Sequence, residues 1–178
     1  VSGHVNNPGN FEVRMGTPFK EVLELAGGIW KGRQLKAVIP GGASTAILPA
    51  ENALAMNMDY DSIAKAGSFL GAGSVIIMDD QTDIVKVIEN LSHFYWDESC
   101  GQCSPCREGT GWLYRVVKRI RAGQGRPEDI EALKDVSGKI MGMVLLLYVM
   151  LVPNLWIWKC FSFILLECCF RLKRMGCL

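Results

Sequence analysis

Three cysteines, Cys100, Cys103 and Cys106, fall within the run Cys-Gly-Gln-Cys-Ser-Pro-Cys. Thiols at i, i+3 and i+6 suit a cubane [4Fe–4S] cluster, because a turning backbone lets each sulfur point at a common centre. Gly101 would let the chain fold tightly there and leave N–H groups free to face cluster sulfurs. Pro105 would hold Ser104 extended. Cys106 would then sit just before a helix, whose positive end favours thiolate charge and a higher potential. Other chemistries compete. Zinc also takes thiolates, although its usual cysteine pairs are separated by a longer loop. Cys103 and Cys106 have the spacing of a redox CxxC, which leaves Cys100 unexplained. The plainest reading is free thiols with no metal. A cubane wants four ligands and only three are local, which leaves Cys160, Cys168, Cys169 and Cys177 as candidates for the fourth.

The elements that would carry this loop look helical. Ile84, Ile88, Leu91 and Tyr95 recur at helical spacing before the cysteines. A second helix is expected from Glu108, with Leu113, Val116, Val117 and Ile120 on its apolar side, ending at Gly123 to Gly125. Pro127 opens a third, with Glu128 and Asp129 in its first turn and Ile130, Leu133, Val136 and Ile140 facing inward. Residues 80–143 therefore read as a small helical bundle around the thiol loop.

Residues 1–79 read as a compact mixed unit. VSGHV and FEVRM are short strand candidates joined by the turn-rich Asn6-Asn7-Pro8-Gly9-Asn10. Thr17 can cap a helix with Pro18 in its first position and Phe19, Val22, Leu23 and Ala26 on one face; Gly27-Gly28 ends it. LKAVI is a strand stopped by Pro40-Gly41-Gly42, an irregular connection follows, and SVIIMD is a buried strand. The fold class is thus α+β: a ubiquitin-like β-grasp followed by a helical, iron–sulfur-binding bundle.

Composition narrows the function. Lys plus Arg number 19 against 18 Asp plus Glu, a formal charge of +1, so the chain has no electrostatic footprint for nucleic acid or a membrane surface. Four basic residues between Arg115 and Arg121 make a patch, but apolar residues hold the intervening helical face; an acidic partner or solvent is the expected neighbour. Hydrophobic residues at 49% exclude wholesale disorder. All seven cysteines lie at or beyond position 100, an odd number in a cluster, which favours metal or redox chemistry over a disulfide framework. His4 and His93 stand alone in the sequence, and no nucleophile–base or paired-carboxylate arrangement presents a catalytic residue. The chain opens at Val1 without a secretory signal, as a processed product or a piece of something longer would.

The run DESCGQCSPCREGTGWLYRVVKRI, Asp97 to Ile120, resembles the iron–sulfur segment of the NADH-binding, FMN-containing flavoprotein subunit of respiratory complex I, in its mitochondrial form. SGHVNNPG, FEVRMGTPFKEVLELAGG, KAVIPGGAS and the stretch from Ala66 to Asp80 resemble that subunit's β-grasp (SLBB-like) domain in the same order. The resemblance covers residues 1–143. Flavoprotein subunits of NAD-linked hydrogenases and formate dehydrogenases share the three cysteines. In the family NADH reduces FMN, and electrons leave singly through a [4Fe–4S] cluster towards quinone. The resemblance implies Cys100, Cys103 and Cys106 as the first three cluster ligands and gives Arg107 an electrostatic role nearby, with a plain solvated helix start as its alternative. It also implies peripheral-arm partner subunits, a [2Fe–2S] subunit among them, and a place on the matrix side of the mitochondrial inner membrane.

Two departures follow. The family's glycine-rich FMN and NADH region lies upstream of the β-grasp domain, and neither Pro40–Ser44 nor GSFLGAG is a dinucleotide fingerprint. This chain alone is expected not to oxidise NADH. The family's fourth cysteine falls on Leu146, give or take one residue, at the start of a divergent hydrophobic tail, residues 144–178. Leucine does not bind iron. A cysteine of the tail would have to substitute, or the cluster would be labile, or the tail is not part of the functional protein. The 19-residue run from Ile140 to Trp158 has the length of a bilayer crossing but is interrupted by Pro153-Asn154. A change of coding frame or splicing near Met143 is the preferred explanation, with a membrane segment or a divergent cap as alternatives.

Overall fold

The computed structural model describes residues 1–142. These divide into two compact units, Val1–Thr82 and the part from Asp83 onward. Leu146, Cys160, Cys168, Cys169, Cys177 and the questions raised by the tail lie outside the described residues.

The first unit is a four-stranded mixed sheet with helices against it. Strand β1 (Ser2–Gly3) runs parallel to β4 (Ile76–Asp79); β4 pairs antiparallel with β2 (Leu35–Ile39), and β2 with β3 (Leu48–Pro49). Helix α1 (Phe19–Leu25) buries Phe19 and Val22. Phe19, Val38, Leu48, Ile63 and Ile77 form the centre of its core. LKAVI is the strand its residues predict. FEVRM is not a strand: it finds no partner, and Val13 and Met15 remain exposed. Thr17 does not cap α1 either, because its hydroxyl turns back to the Arg14 carbonyl at 2.7 Å and Pro18 occupies the cap position. The connection expected to be irregular contains β3 and two helices, α2 (Ala50–Leu54) and α3 (Tyr60–Ala66). Helix α3 carries signals that were there to be read: Asp59 accepts the Ser62 N–H, and Gly67 closes it in the left-handed conformation.

Two glycine-containing loops interlock at one end of this sheet. A side chain on Gly41 would meet the carbonyl oxygens of Phe69 and Leu70 at 2.5 Å, and one on Gly71 would strike the Gly41 carbonyl. The Ala72 N–H donates to that same carbonyl at 3.1 Å. These glycines allow backbone to touch backbone.

The second unit packs α5 (Ser104–Arg121) against both α4 (Ile84–Asp97) and α6 (Pro127–Gly142). The inward residues are those the spacing predicts. Ile84, Ile88, Tyr95, Leu113, Val117, Ile120, Leu133 and Ile140 are buried, while Leu91 and Val116 are half-buried. Asp83 caps α4 through the N–H groups of Val85 and Lys86. Among the described residues no helix is long and apolar enough to cross a membrane.

Candidate metal centre

The thiol loop runs from the end of α4 into the first turn of α5. Helix α5 starts earlier than the sequence suggests. Cys103 is its N-cap residue and Cys106 lies inside the first turn, so Ser104 is helical rather than extended. Pro105 fits there because an N–H in the first turn has no helical acceptor to lose. Cys100 is exposed, Cys103 half-buried and Cys106 buried, and none is in a disulfide.

Gly101 adopts φ +75°, the left-handed conformation expected of a tight turn at this position. Its N–H is not free, however: it donates to Ser99 Oγ at 3.4 Å. Its carbonyl accepts from the Arg107 guanidinium at 2.9 Å. Arg107 also reaches Ser104 Oγ at 3.4 Å and pairs with Glu108 at 3.0 Å. Ser99 Oγ lies 3.2 Å from Cys106 Sγ, and the Cys106 carbonyl accepts from Thr110 Oγ1 at 2.7 Å. The loop is therefore braced at its middle and at its last thiol.

The donor set has the chemistry of a soft-metal site: three thiols on one turn, no competing carboxylate among them, and a helix N-terminus beneath. It provides three of the four donors that a cubane takes. Among the described residues no group of three or more His, Cys, Asp or Glu is gathered to hold a single metal ion. The fit thus lies in donor type and chain path.

Several charged residues that looked solitary in sequence have partners. Trp96 stacks on Tyr114 with centroids 5.6 Å apart, and His93 packs edge-on to Tyr114 at 4.7 Å. His93 Nδ1 lies 2.9 Å from Asp97. Arg115 sits over Trp96, Lys118 over Tyr114, and Arg121 pairs with the buried Glu89. The basic run thus makes contacts within its own bundle while Arg115, Lys118 and Arg121 stay exposed to solvent. Asp129, buried at the start of α6, accepts from the Arg119 guanidinium and from the Arg126 N–H at 2.9 Å. Burial alone would raise its carboxyl, but these bonds and the charges of Arg119 and Arg126 outweigh it and hold it below the ordinary carboxylate value.

In the β-grasp unit, Asp79 is buried and holds Arg33 at 2.7 Å and Thr82 at 2.8 Å. Here too burial opposes ionisation, and the bonds from Arg33 and Thr82, with the charges of His4 and Arg33, prevail and lower the carboxyl. His4 is not isolated: its Nδ1 faces Asp79 at 3.4 Å and Thr82 at 3.1 Å.

Known proteins share this arrangement. Residues 86–145 match the family described as the NADH-ubiquinone oxidoreductase-F iron-sulfur binding region, and residues 1–87 match the SLBB domain. The F-type subunit of the NADH-quinone oxidoreductase of Rickettsia bellii is 50% identical over 144 residues, covering 80% of this chain and 34% of that protein. Its counterpart in Rickettsia typhi is 51% identical over 144 residues, again 80% of this chain and 34% of the relative. The chain spans about a third of the length of these curated relatives. A NAD+-reducing [NiFe]-hydrogenase in its H2-reduced state has the same fold, with a TM-score of 0.80 at 24% identity over 98% of this chain and 28% of that one. With its SLBB domain followed by a bundle of the oxidoreductase-F iron–sulfur type, the chain is a module related to the F-type subunits of bacterial NADH-quinone oxidoreductases.

Proposed function

We propose that this chain is an electron-transfer module of an NADH:quinone oxidoreductase flavoprotein subunit, in which Cys100, Cys103 and Cys106 supply three ligands to a [4Fe–4S] cluster. One observation carries the reading: three thiols share one braced turn at a helix N-terminus, inside the segment that matches an iron–sulfur binding region. When bound, such a cluster accepts and releases one electron at a time. The chain's own groups fix the turn. Gly101 reverses it, Arg107 ties it to α5, and Ser99 reaches across to Cys106. In this reading the fourth ligand comes from beyond the described residues, Cys160 first. FMN and NADH would then be held by the glycine-rich region that the resemblance places upstream of the β-grasp domain, and residues 1–178 by themselves are not expected to oxidise NADH. Its partners are then other subunits of the peripheral arm, a [2Fe–2S] subunit among them, on the matrix side of the mitochondrial inner membrane.

A second reading has an observation in its favour. Because no three of His, Cys, Asp and Glu are gathered for a metal ion among the described residues, a structural or assembly module with no metal at the cysteines, or with zinc once the loop rearranges, is the alternative. The same module in an NAD-linked hydrogenase or formate dehydrogenase is a variant of the first reading, and the hydrogenase fold likeness is compatible with it.

Iron, acid-labile sulfide and zinc per chain, measured after anaerobic reconstitution with an EPR spectrum of the dithionite-reduced sample, separate these readings. The expected result is about four iron and four sulfide with a reduced cubane signal. A three-iron signal would mean that no fourth ligand replaces the cysteine missing near Leu146. Zinc without iron would sink the electron-transfer reading.

A further inference from the structure

The Ser99 hydroxyl touches two parts of the thiol loop at once. Its oxygen takes the Gly101 N–H at 3.4 Å and lies 3.2 Å from Cys106 Sγ. Chemistry sets the direction of the second bond. A backbone N–H only donates, so Gly101 uses one lone pair of the hydroxyl. A sulfur that binds iron is a thiolate with no proton, so there the Ser99 O–H donates to it. The bond is then charge-assisted. Ser99 stands just beyond α4, before the first cysteine, whereas Cys106 lies within α5. The hydroxyl thus joins the turn after Cys100 to the helical turn carrying the third thiol. Thr110 holds the Cys106 carbonyl from the other side at 2.7 Å, so the residue is secured at both ends.

We infer that Ser99 is a positioning residue of the metal site, orienting Cys106 and raising the site's reduction potential through its bond to the sulfur. The inference rests on the reading above, that the three cysteines hold an iron–sulfur cluster. Reduction adds negative charge to a cluster, and a donor aimed at a ligand sulfur favours the more negative state; hydrogen bonds to sulfur are among the factors that set such potentials. Arg107 is less suited to this task. Its side chain is 49% exposed and shares its charge with Glu108, and its bonds go to Gly101 and Ser104 rather than to sulfur.

The test uses the full chain, reconstituted anaerobically with iron and sulfide, as wild type, Ser99→Ala and Ser99→Thr. Iron content and EPR-monitored redox titration are the readouts. At the potential where wild type is half reduced, Ser99→Ala is expected to raise the oxidised-to-reduced ratio by up to about tenfold, a negative shift of ~59 mV for a one-electron couple. Ser99→Thr, which keeps the hydroxyl, restores the wild-type value. Equal potentials for Ser99→Ala and wild type at equal iron content would overturn the inference and leave the cluster reading standing. So would a Thr variant that shifts as far as the Ala variant. If Ser99→Ala fails to retain iron, Ser99→Thr decides: retention at the wild-type potential supports the role, and loss overturns it. Wild type that takes up no iron defeats the underlying reading, and the inference with it.

Discussion

In the β-grasp unit glycine brings backbone against backbone, whereas in the helical unit it brings a helix against side chains. Gly41 and Gly71 lie where two loops share carbonyl oxygens, which have nowhere to move. Gly109 faces the tip of Ile140, and Gly111 faces the Trp96 indole. The first kind of contact is brittle and the second yields, because a side chain has other rotamers and a ladder of peptide groups does not. The cores themselves are equally closed: Phe19 is fully enclosed in one unit and Ile84 in the other.

The contrast is open to test by substitution. Phe19→Ala should have the largest effect, destabilising the β-grasp unit by about 3–5 kcal/mol in a urea titration, since the buried ring leaves a cavity the sheet does not close. The paired glycines probe the contrast directly. Gly41→Ala should cost about 3 kcal/mol and Gly109→Ala about 1 kcal/mol, because the added methyl meets fixed oxygens in one and a movable Ile140 methyl in the other. Equal costs would remove the distinction.

The smallest expected effect concerns charge. Asp79 and Asp129 both have carboxyls lowered from 3.8 in the folded chain. A depressed carboxyl contributes stability that is complete above its unfolded value and is lost as pH falls through its folded value. Thermal melts should therefore lose stability as pH drops below about 4 in both units. Arg119→Ala should weaken that acid response in the bundle alone, by about 1 kcal/mol, since the Arg119 side chain is 38% exposed and its pairing is partly screened. A response unchanged in Arg119→Ala would place the acid sensitivity elsewhere.

How far these features were legible in the sequence varied with how local their causes are. LKAVI forms its strand because a largely apolar run ending in β-branched Val38 and Ile39, and stopped by Pro40-Gly41-Gly42, leaves little choice. The three bundle helices follow from apolar spacing, which their own packing uses directly. FEVRM shows the same alternation as a strand and fails, because pairing depends on a neighbour that alternation cannot supply. The helices α2 and α3 were hidden by short length, although Asp59 and Gly67 marked the ends of the second. At the candidate metal centre the thiols themselves were plain from spacing, and Gly101 was read correctly as a reversal. The early start of α5 was not, since the rule for a residue before proline argues against helix, and the relief available in a first turn overrides it. Ser99 carries no signal in sequence at all. Its role depends on the loop bringing positions 99, 101 and 106 together.

The two small residues of α5, Gly109 and Gly111, stand two apart and so lie on nearly opposite sides of the helix. One is a notch for Ile140 of α6 and the other a notch for Trp96 of α4. A helix notched on both sides is indexed along its length, like a rod held by two detents, and cannot slide past either neighbour without lifting a side chain out of its slot. Because the thiol turn is the head of that rod, its height above the bundle is set by the notches a turn or so below it. The position of the Cys106 thiol along the bundle is thus registered by two missing methyl groups.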